Sequence, residues 1–147
     1  MRWASSITTA YDALGRGVAS LDPLGYLSTT LYDADGRMTA SVDALGNRAS
    51  SVYDATGRVV AQQDARGYLT SFVFDAAGQQ LAVVDAGSHR TSNLYDARGL
   101  VYATQDPLGA LTSNTFDGVG NTTKRVDARG WVTTYTCLLY TSPSPRD

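Results

Sequence analysis

Aspartate recurs along this chain at positions 12, 22, 33, 43, 54, 64, 75, 85, 96, 106, 117 and 127, in steps that alternate ten and eleven residues without a slip. In eleven of the twelve cases a glycine stands three residues later. The pairs are Asp12 with Gly15, Asp22 with Gly25, Asp33 with Gly36, Asp43 with Gly46, Asp54 with Gly57 and Asp64 with Gly67. They continue as Asp75 with Gly78, Asp96 with Gly99, Asp106 with Gly109, Asp117 with Gly120 and Asp127 with Gly130. An aromatic residue precedes every second aspartate: Tyr11, Tyr32, Tyr53, Phe74, Tyr95 and Phe116. The true period is therefore 21 residues, with two Asp-x-x-Gly units in each. A fixed period of this length marks a repeat architecture, in which each unit buries its surface only against its neighbours.

Each Asp-x-x-Gly reads as a type I turn. The aspartate carboxylate can accept a bond from a backbone N–H two residues on. Pro23 and Pro107 sit at the second position, where their fixed φ already suits the turn. Glycine at the fourth position can take a positive φ, which makes the bulge that joins two antiparallel strands. The segments between turns have strand length and are rich in Thr, Val, Tyr, Leu and Ser, as in Tyr26-Leu-Ser-Thr-Thr-Leu-Tyr32 and Tyr68-Leu-Thr-Ser-Phe-Val-Phe74. None has the apolar spacing of a helix. The sequence predicts an all-β chain: a repetitive antiparallel β-hairpin meander of about twelve short strands.

Columns taken one per period support this. One column reads Ala19, Ala40, Ala61, Ala82, Ala103 and then Lys124. Another reads Leu21, Val42, Gln63, Val84, Gln105 and Val126. Stacked repeats are expected to set like on like, Ala on Ala and Tyr on Tyr, in a sheet wet on at least one side.

The net charge is −2, and the twelve basic residues show no basic stripe interleaved with aromatics, so nucleic acid is not an expected partner. Arg16, Arg37, Arg58 and Arg125 follow turns and read as solvated strand ends. No run of eighteen apolar residues is present, so no membrane span is expected. The opening residues Met1-Arg-Trp-Ala-Ser-Ser lack the apolar stretch of a signal peptide.

Chemistry is hard to place. The chain has no glutamate, and twelve of its fourteen aspartates open turns, so no catalytic carboxylate pair stands out. Calcium repeats concentrate several oxygen ligands per loop, whereas here each turn has one aspartate. Asp33-Ala-Asp35-Gly36 resembles only the start of a calcium loop. The one histidine, His89, lies in the one irregular turn, Asp85-Ala-Gly87-Ser88-His89, where glycine comes one place early. It reads as an exposed loop residue. No catalytic residue, cofactor or metal site is expected.

The period fails at Cys137, where an aromatic is due, and at Leu138, where aspartate is due. Residues 1–136 are read as the repeat array of about six repeats. Cys137–Asp147 carries the single cysteine and two of the four prolines. It reads as a non-native tail, the translation of a sequencing-library adapter. The array begins and stops in mid-phase without visible caps, and is expected to be a piece of a longer protein.

The unit Tyr53-Asp-Ala-Thr-Gly-Arg58, followed ten residues on by another Asp-x-x-Gly, resembles the YD repeat of Rhs proteins, over about Tyr11 to Tyr135. That family includes bacterial polymorphic toxins, the cocoon subunits of Tc toxins, and teneurins. The resemblance implies a segment of a β-spiral shell. It further implies that the remaining repeats of the parent protein are partners, that a C-terminal toxin is enclosed, and that the parent is secreted or at the cell surface. Asp22-Pro-Leu-Gly25 and Asp106-Pro-Leu-Gly109 share only an Asp-Pro pair with the self-cleaving core of such proteins, and fit the turn pattern. The expected role is a non-enzymatic shell segment. The alternative is a carbohydrate or cell-surface binding module that presents the tyrosine column and the arginines outward.

Overall fold

The computed structural model of the chain describes residues 6–136; the segment Cys137–Asp147 lies outside the described residues. Thirteen strands lie in chain order in one antiparallel sheet, one more than the spacing predicts, and no helix occurs among the described residues. The first seven are β1 (Thr8–Tyr11), β2 (Gly17–Leu21), β3 (Leu27–Tyr32), β4 (Met38–Val42), β5 (Arg48–Tyr53), β6 (Val59–Gln63) and β7 (Leu69–Phe74). The rest are β8 (Gln80–Val84), β9 (Arg90–Tyr95), β10 (Val101–Gln105), β11 (Leu111–Phe116), β12 (Thr122–Val126) and β13 (Val132–Thr134). The chain divides into two compact units, one running to Phe74 and including Val83–His89, the other comprising Asp75–Ala82 and the residues from Arg90 on.

The turns form because one carboxylate does the work of several backbone partners. At Asp12 the Gly15 N–H closes the turn on the Asp12 carbonyl at 3.0 Å, and the Asp12 N–H reaches the Arg16 carbonyl at 2.9 Å. The side-chain Oδ1 accepts from the N–H of Leu14 and of Arg16, both at 2.9 Å. Gly15 has φ 77°, and the glycines at the other ten regular turns are also left-handed. A side chain there would cost roughly 1–2 kcal/mol.

The turn at Asp85 is a correction to the irregular hairpin expected there. Ser88 N–H bonds the Asp85 carbonyl and Asp85 N–H bonds the His89 carbonyl, each at 3.0 Å, as at a regular turn. Ser88 takes the left-handed conformation itself, with φ 64°. Gly87 serves another purpose: a Cβ on it would stand 2.8 Å from the His89 ring.

Within the first unit, β3 is flanked by Tyr26, whose carbonyl accepts from the Asp22 N–H, and by Asp33, whose N–H donates to the Arg37 carbonyl. The return strand β4 is shorter, and Thr39 bulges out of the ladder, because Tyr32 pairs with Met38 and Leu31 with Ala40. Val42 therefore faces Thr29, and the next turn falls beside the middle of β3 rather than beside its start. Each repeat is displaced by two residues along the strands, roughly 6.6 Å, for every two strands, roughly 9.5 Å across. Val18 and Val60 bulge in the same way. In the second unit Tyr102 and Thr123 do so. The alternation of ten and eleven residues is the sequence trace of this stagger.

Because the period spans two strands, like residues are not cross-strand neighbours, which corrects the expected Ala-on-Ala ladder. Ala40 lies between Leu31 and Ser50, and Ala61 between Val52 and Ser71. In the second unit Ala103 lies between Leu94 and Ser113. A short side chain flanked on both sides is what a single layer can bury. Ala40, Ala82 and Ala103, at 2, 0 and 4 % exposure, are the buried hydrophobic residues among those described.

Replacing Ser88 with glycine relieves a left-handed residue without touching the bonds of its turn. Ser88→Gly is expected to stabilise the chain by about 1 kcal/mol, read as a higher midpoint in urea. An unchanged or lower midpoint would show that Ser88 bears no strain.

Candidate functional site

The twelve turns fall into two classes by what precedes the aspartate. Turns at Asp12, Asp33, Asp54, Asp75, Asp96 and Asp117 follow the aromatic column; those at Asp22, Asp43, Asp64, Asp85, Asp106 and Asp127 follow Leu21, Val42, Gln63, Val84, Gln105 and Val126. As a meander alternates direction, the two classes lie on opposite edges of the sheet. The aromatic edge is where side chains converge.

In the first unit an arginine follows each aromatic-edge turn, bonded to the turn aspartate and stacked on an aromatic ring. Arg16 Nε donates to Asp12 Oδ2 at 2.7 Å. Its guanidinium lies over the ring of Tyr32, with Cζ 4.6 Å from the centroid, and its Nη1 reaches the Asp33 carbonyl at 3.4 Å. Arg37 bonds Asp33 and Asp35, each at 2.7 Å, and lies 4.9 Å over Tyr53. Arg58 bonds Asp54 at 2.7 Å and lies 4.8 Å over Phe74. Cation–π contact and a charge-assisted bond thus act on one guanidinium. These arginines are half-buried clamps between repeats, not the solvated strand ends that their place after a turn suggests. Arg125 does lie exposed. The signal that could have identified the clamps is the pairing of Arg16, Arg37 and Arg58 with an aromatic sixteen residues on.

The aromatic column answers the bulges. Tyr32 Oη donates to the Gly17 carbonyl at 3.2 Å, and Tyr53 Oη to the Met38 carbonyl at 2.8 Å. Each acceptor is the residue just before the bulged one, where the ladder is interrupted. In the second unit Tyr95 Oη and Asn93 Nδ2 both reach the Gln80 carbonyl, at 2.9 and 3.1 Å. Phe116 lacks a hydroxyl, and Asn114 Nδ2 reaches the Val101 carbonyl at 3.5 Å. The arginine role moves as well. Leu100 follows the turn at Asp96, and Arg98, two residues earlier, bonds Asp96 and donates to the Asp117 carbonyl at 2.8 Å.

Electrostatics follow from these bonds. The Arg16 backbone N–H is the main reason that Asp12 titrates below its ordinary value, with the Arg16 guanidinium adding to it. At Asp33 desolvation, which raises the pKa, is outweighed by the N–H and guanidinium of Arg37. The Thr56 hydroxyl holds Asp54 well below the usual carboxylate range, helped by Arg58. Asn47 and Asn121 side chains lower Asp43 and Asp117. The His89 and Leu100 N–H groups lower Asp85 and Asp96. Arg37 is raised in turn by its bond to Asp33.

A second feature of the first unit is an open trough of about 320 Å³ across β4 to β7. Ser41, Ser51, Gln62, Asp64, Tyr68 and Thr70 line it.

Two outcomes follow. Carboxylates with depressed native pKa values contribute stability that is present above their unfolded value, 3.8, and is lost as pH falls through the lower native values. The circular-dichroism melting temperature should therefore hold level from pH 8 to 5 and fall steeply below about 3.8; a fall centred above pH 5 would contradict it. Tyr53→Phe leaves the Met38 carbonyl without its side-chain donor and should destabilise by roughly 0.5–1.5 kcal/mol, with Phe at the already hydroxyl-free position 74 as the internal reference; no loss in urea titration would contradict it.

Comparison with known proteins agrees with this architecture. A model of the RHS repeat family matches residues 11–48 and 53–91. No curated protein matches the chain. Solved structures do match in fold. The crystal structure of TcdB2-TccC3-Cdc42 has a TM-score of 0.65 at 14% identity, over 81% of this chain and 7% of that one. A variant of the Photorhabdus luminescens Tc holotoxin pore gives 0.64 at 14% identity, over 82% and 7%. The crystal structure of TcdB2-TccC3 gives 0.64 at 14% identity, over 81% and 7%. The chain thus spans 7% of the length of these relatives in structure. With the family model covering more than half of its residues, and with two staggered turns in each 21-residue period, this chain belongs to the RHS repeat family.

Proposed function

We propose that this chain is a wall segment of a shell-forming RHS protein, secreted or displayed at the cell surface, that encloses a C-terminal effector. The observation that carries the reading is the single layer. A sheet that buries three alanines and holds each repeat only to its neighbours supplies surface, not an interior of its own. The fold likeness to the TccC3-containing structures supports the same reading. In this role the remaining repeats of the parent chain continue the wall, and residues 1–136 form the native array.

A second reading, a module that binds carbohydrate, is favoured by the trough. The tyrosine column is not free for it, since Tyr32 and Tyr53 lie under guanidinium groups and spend their hydroxyls on backbone carbonyls. Tyr68 beside Asp64 and Gln62 is exposed and suits sugar hydroxyls better.

Limited trypsin digestion of the intact parent protein separates the two. For a wall, the C-terminal effector resists cleavage while the repeats are folded, and Gly57→Val, which forces a Cβ onto a left-handed residue, exposes it. Equal cleavage of the effector with and without the repeats would overturn the wall reading. Retention on immobilised neutral glycans, lost in Tyr68→Ala, would favour the module.

A further inference from the structure

Among the described residues, the side-chain bonds that join one turn to the next lie at one edge. At the aromatic edge, the residues after the turns at Asp12, Asp33, Asp75 and Asp96 pack on the next turn of the same edge. A Cβ on Gly36 would stand 3.5 Å from Arg16 Nη1, and one on Gly57 3.4 Å from Arg37 Nη1. In the second unit the corresponding neighbours are Gln79 at Gly99, 2.7 Å, and Leu100 at Gly120, 3.7 Å. The next turn is thus covered whether this residue is Arg, Gln or Leu. At the opposite edge the same position covers nothing. Gly25, Gly46 and Gly130 have no atom within 4 Å of where a Cβ would be, and Gly67 and Gly109 meet only the glutamine of their own hairpin. The hydrogen bonds agree: Asn47 and His89 bond their own turn aspartates, whereas Arg16 and Arg98 reach the next turn.

We propose that the aromatic edge is a hinge line. Successive repeats stay clamped there and part first at the opposite edge, so the sheet fans open from one side and its curvature can change without loss of the array. The backbone alone argues the reverse. The bulges interrupt the ladder at the aromatic edge, and an interrupted ladder opens more readily. Only the clamp of arginine, aromatic ring and tyrosine hydroxyl makes that edge the firmer one. The inference rests on this geometry and not on what the shell encloses.

Amide hydrogen exchange tests it, because the same bond exists at both edges. Asp33 and Asp54 donate to the carbonyl four residues on at 2.9 Å, and Asp43 and Asp64 do so at 3.0 and 2.9 Å. Protection factors at Asp33 and Asp54 should exceed those at Asp43 and Asp64 at least tenfold. Removing one clamp, with Arg37→Ala and Tyr53→Phe together, should bring Asp54 down to the level of Asp64 and leave Asp43 and Asp64 unmoved. Equal protection at the two edges of the unaltered chain would overturn the proposal. So would a variant that lowers both edges alike. Should the double variant fail to fold, Tyr53→Phe alone reads the same difference at Asp54, and the comparison within the unaltered chain stands without any variant.

Discussion

A carboxylate oxygen that accepts two backbone N–H groups is the contact on which this structure turns. In each repeat it happens twice, at the point where the chain must reverse within four residues. A reversal that tight leaves N–H groups pointing inward with no ladder partner. The aspartate supplies the missing acceptor, and the glycine that follows accepts the left-handed backbone that the reversal requires. Strand length, register and stagger then follow, since every strand is measured between two such points. At the aromatic edge the second carboxylate oxygen is left over, and Arg16, Arg37 and Arg58 take it. The turn therefore also fixes where the clamp between repeats begins.

A single layer makes this arrangement necessary. Most small domains hold their strands by covering one face with another layer. Here Leu31 and Val52 flank the alanine column and remain exposed, and Ala40 is buried only because its neighbours across the sheet are close. Cohesion must come along the sheet rather than through it. That explains why the roles in the clamp persist when the residues change. Arg98 stands in for an arginine two places later, and Asn114 for a hydroxyl two places later. What is kept is a donor at a given carbonyl, not a residue type at a given position.

Much of the fold was legible in the sequence, and what was not has a common cause. Periodicity located the reversals, and the residue types at Asp12 to Gly15 said what kind they were. The strands and their antiparallel order followed. Periodicity does not say which positions meet, because two strands intervene between like residues. Ala on Ala was therefore the wrong neighbour, and the arginines looked solvated because a turn separates them from their own strand partners. The bulges at Val18, Thr39 and Val60 left no residue signature, since Val and Thr are ordinary strand residues. At Asp85 the residue pattern misled for another reason. The cost of a left-handed serine is small beside the ladder that the turn completes, so context overrode local preference.

The stagger has a consequence for how such a chain can change length. Each repeat reproduces the displacement of the one before, so the sheet has no preferred number of repeats. A duplication or loss of a whole period passes every strand on to a neighbour identical in direction, face and offset. A gain or loss of one residue inside a strand does not, because it turns the side chains beyond it to the other face. Within β4 the one place that holds an unpaired residue is Thr39, the extra residue of the bulge that lets Met38 pair with Tyr32 while Ala40 pairs with Leu31. Lineages built on this plan are thus free to lengthen by recombination between near-identical stretches and are held rigidly against drift in phase.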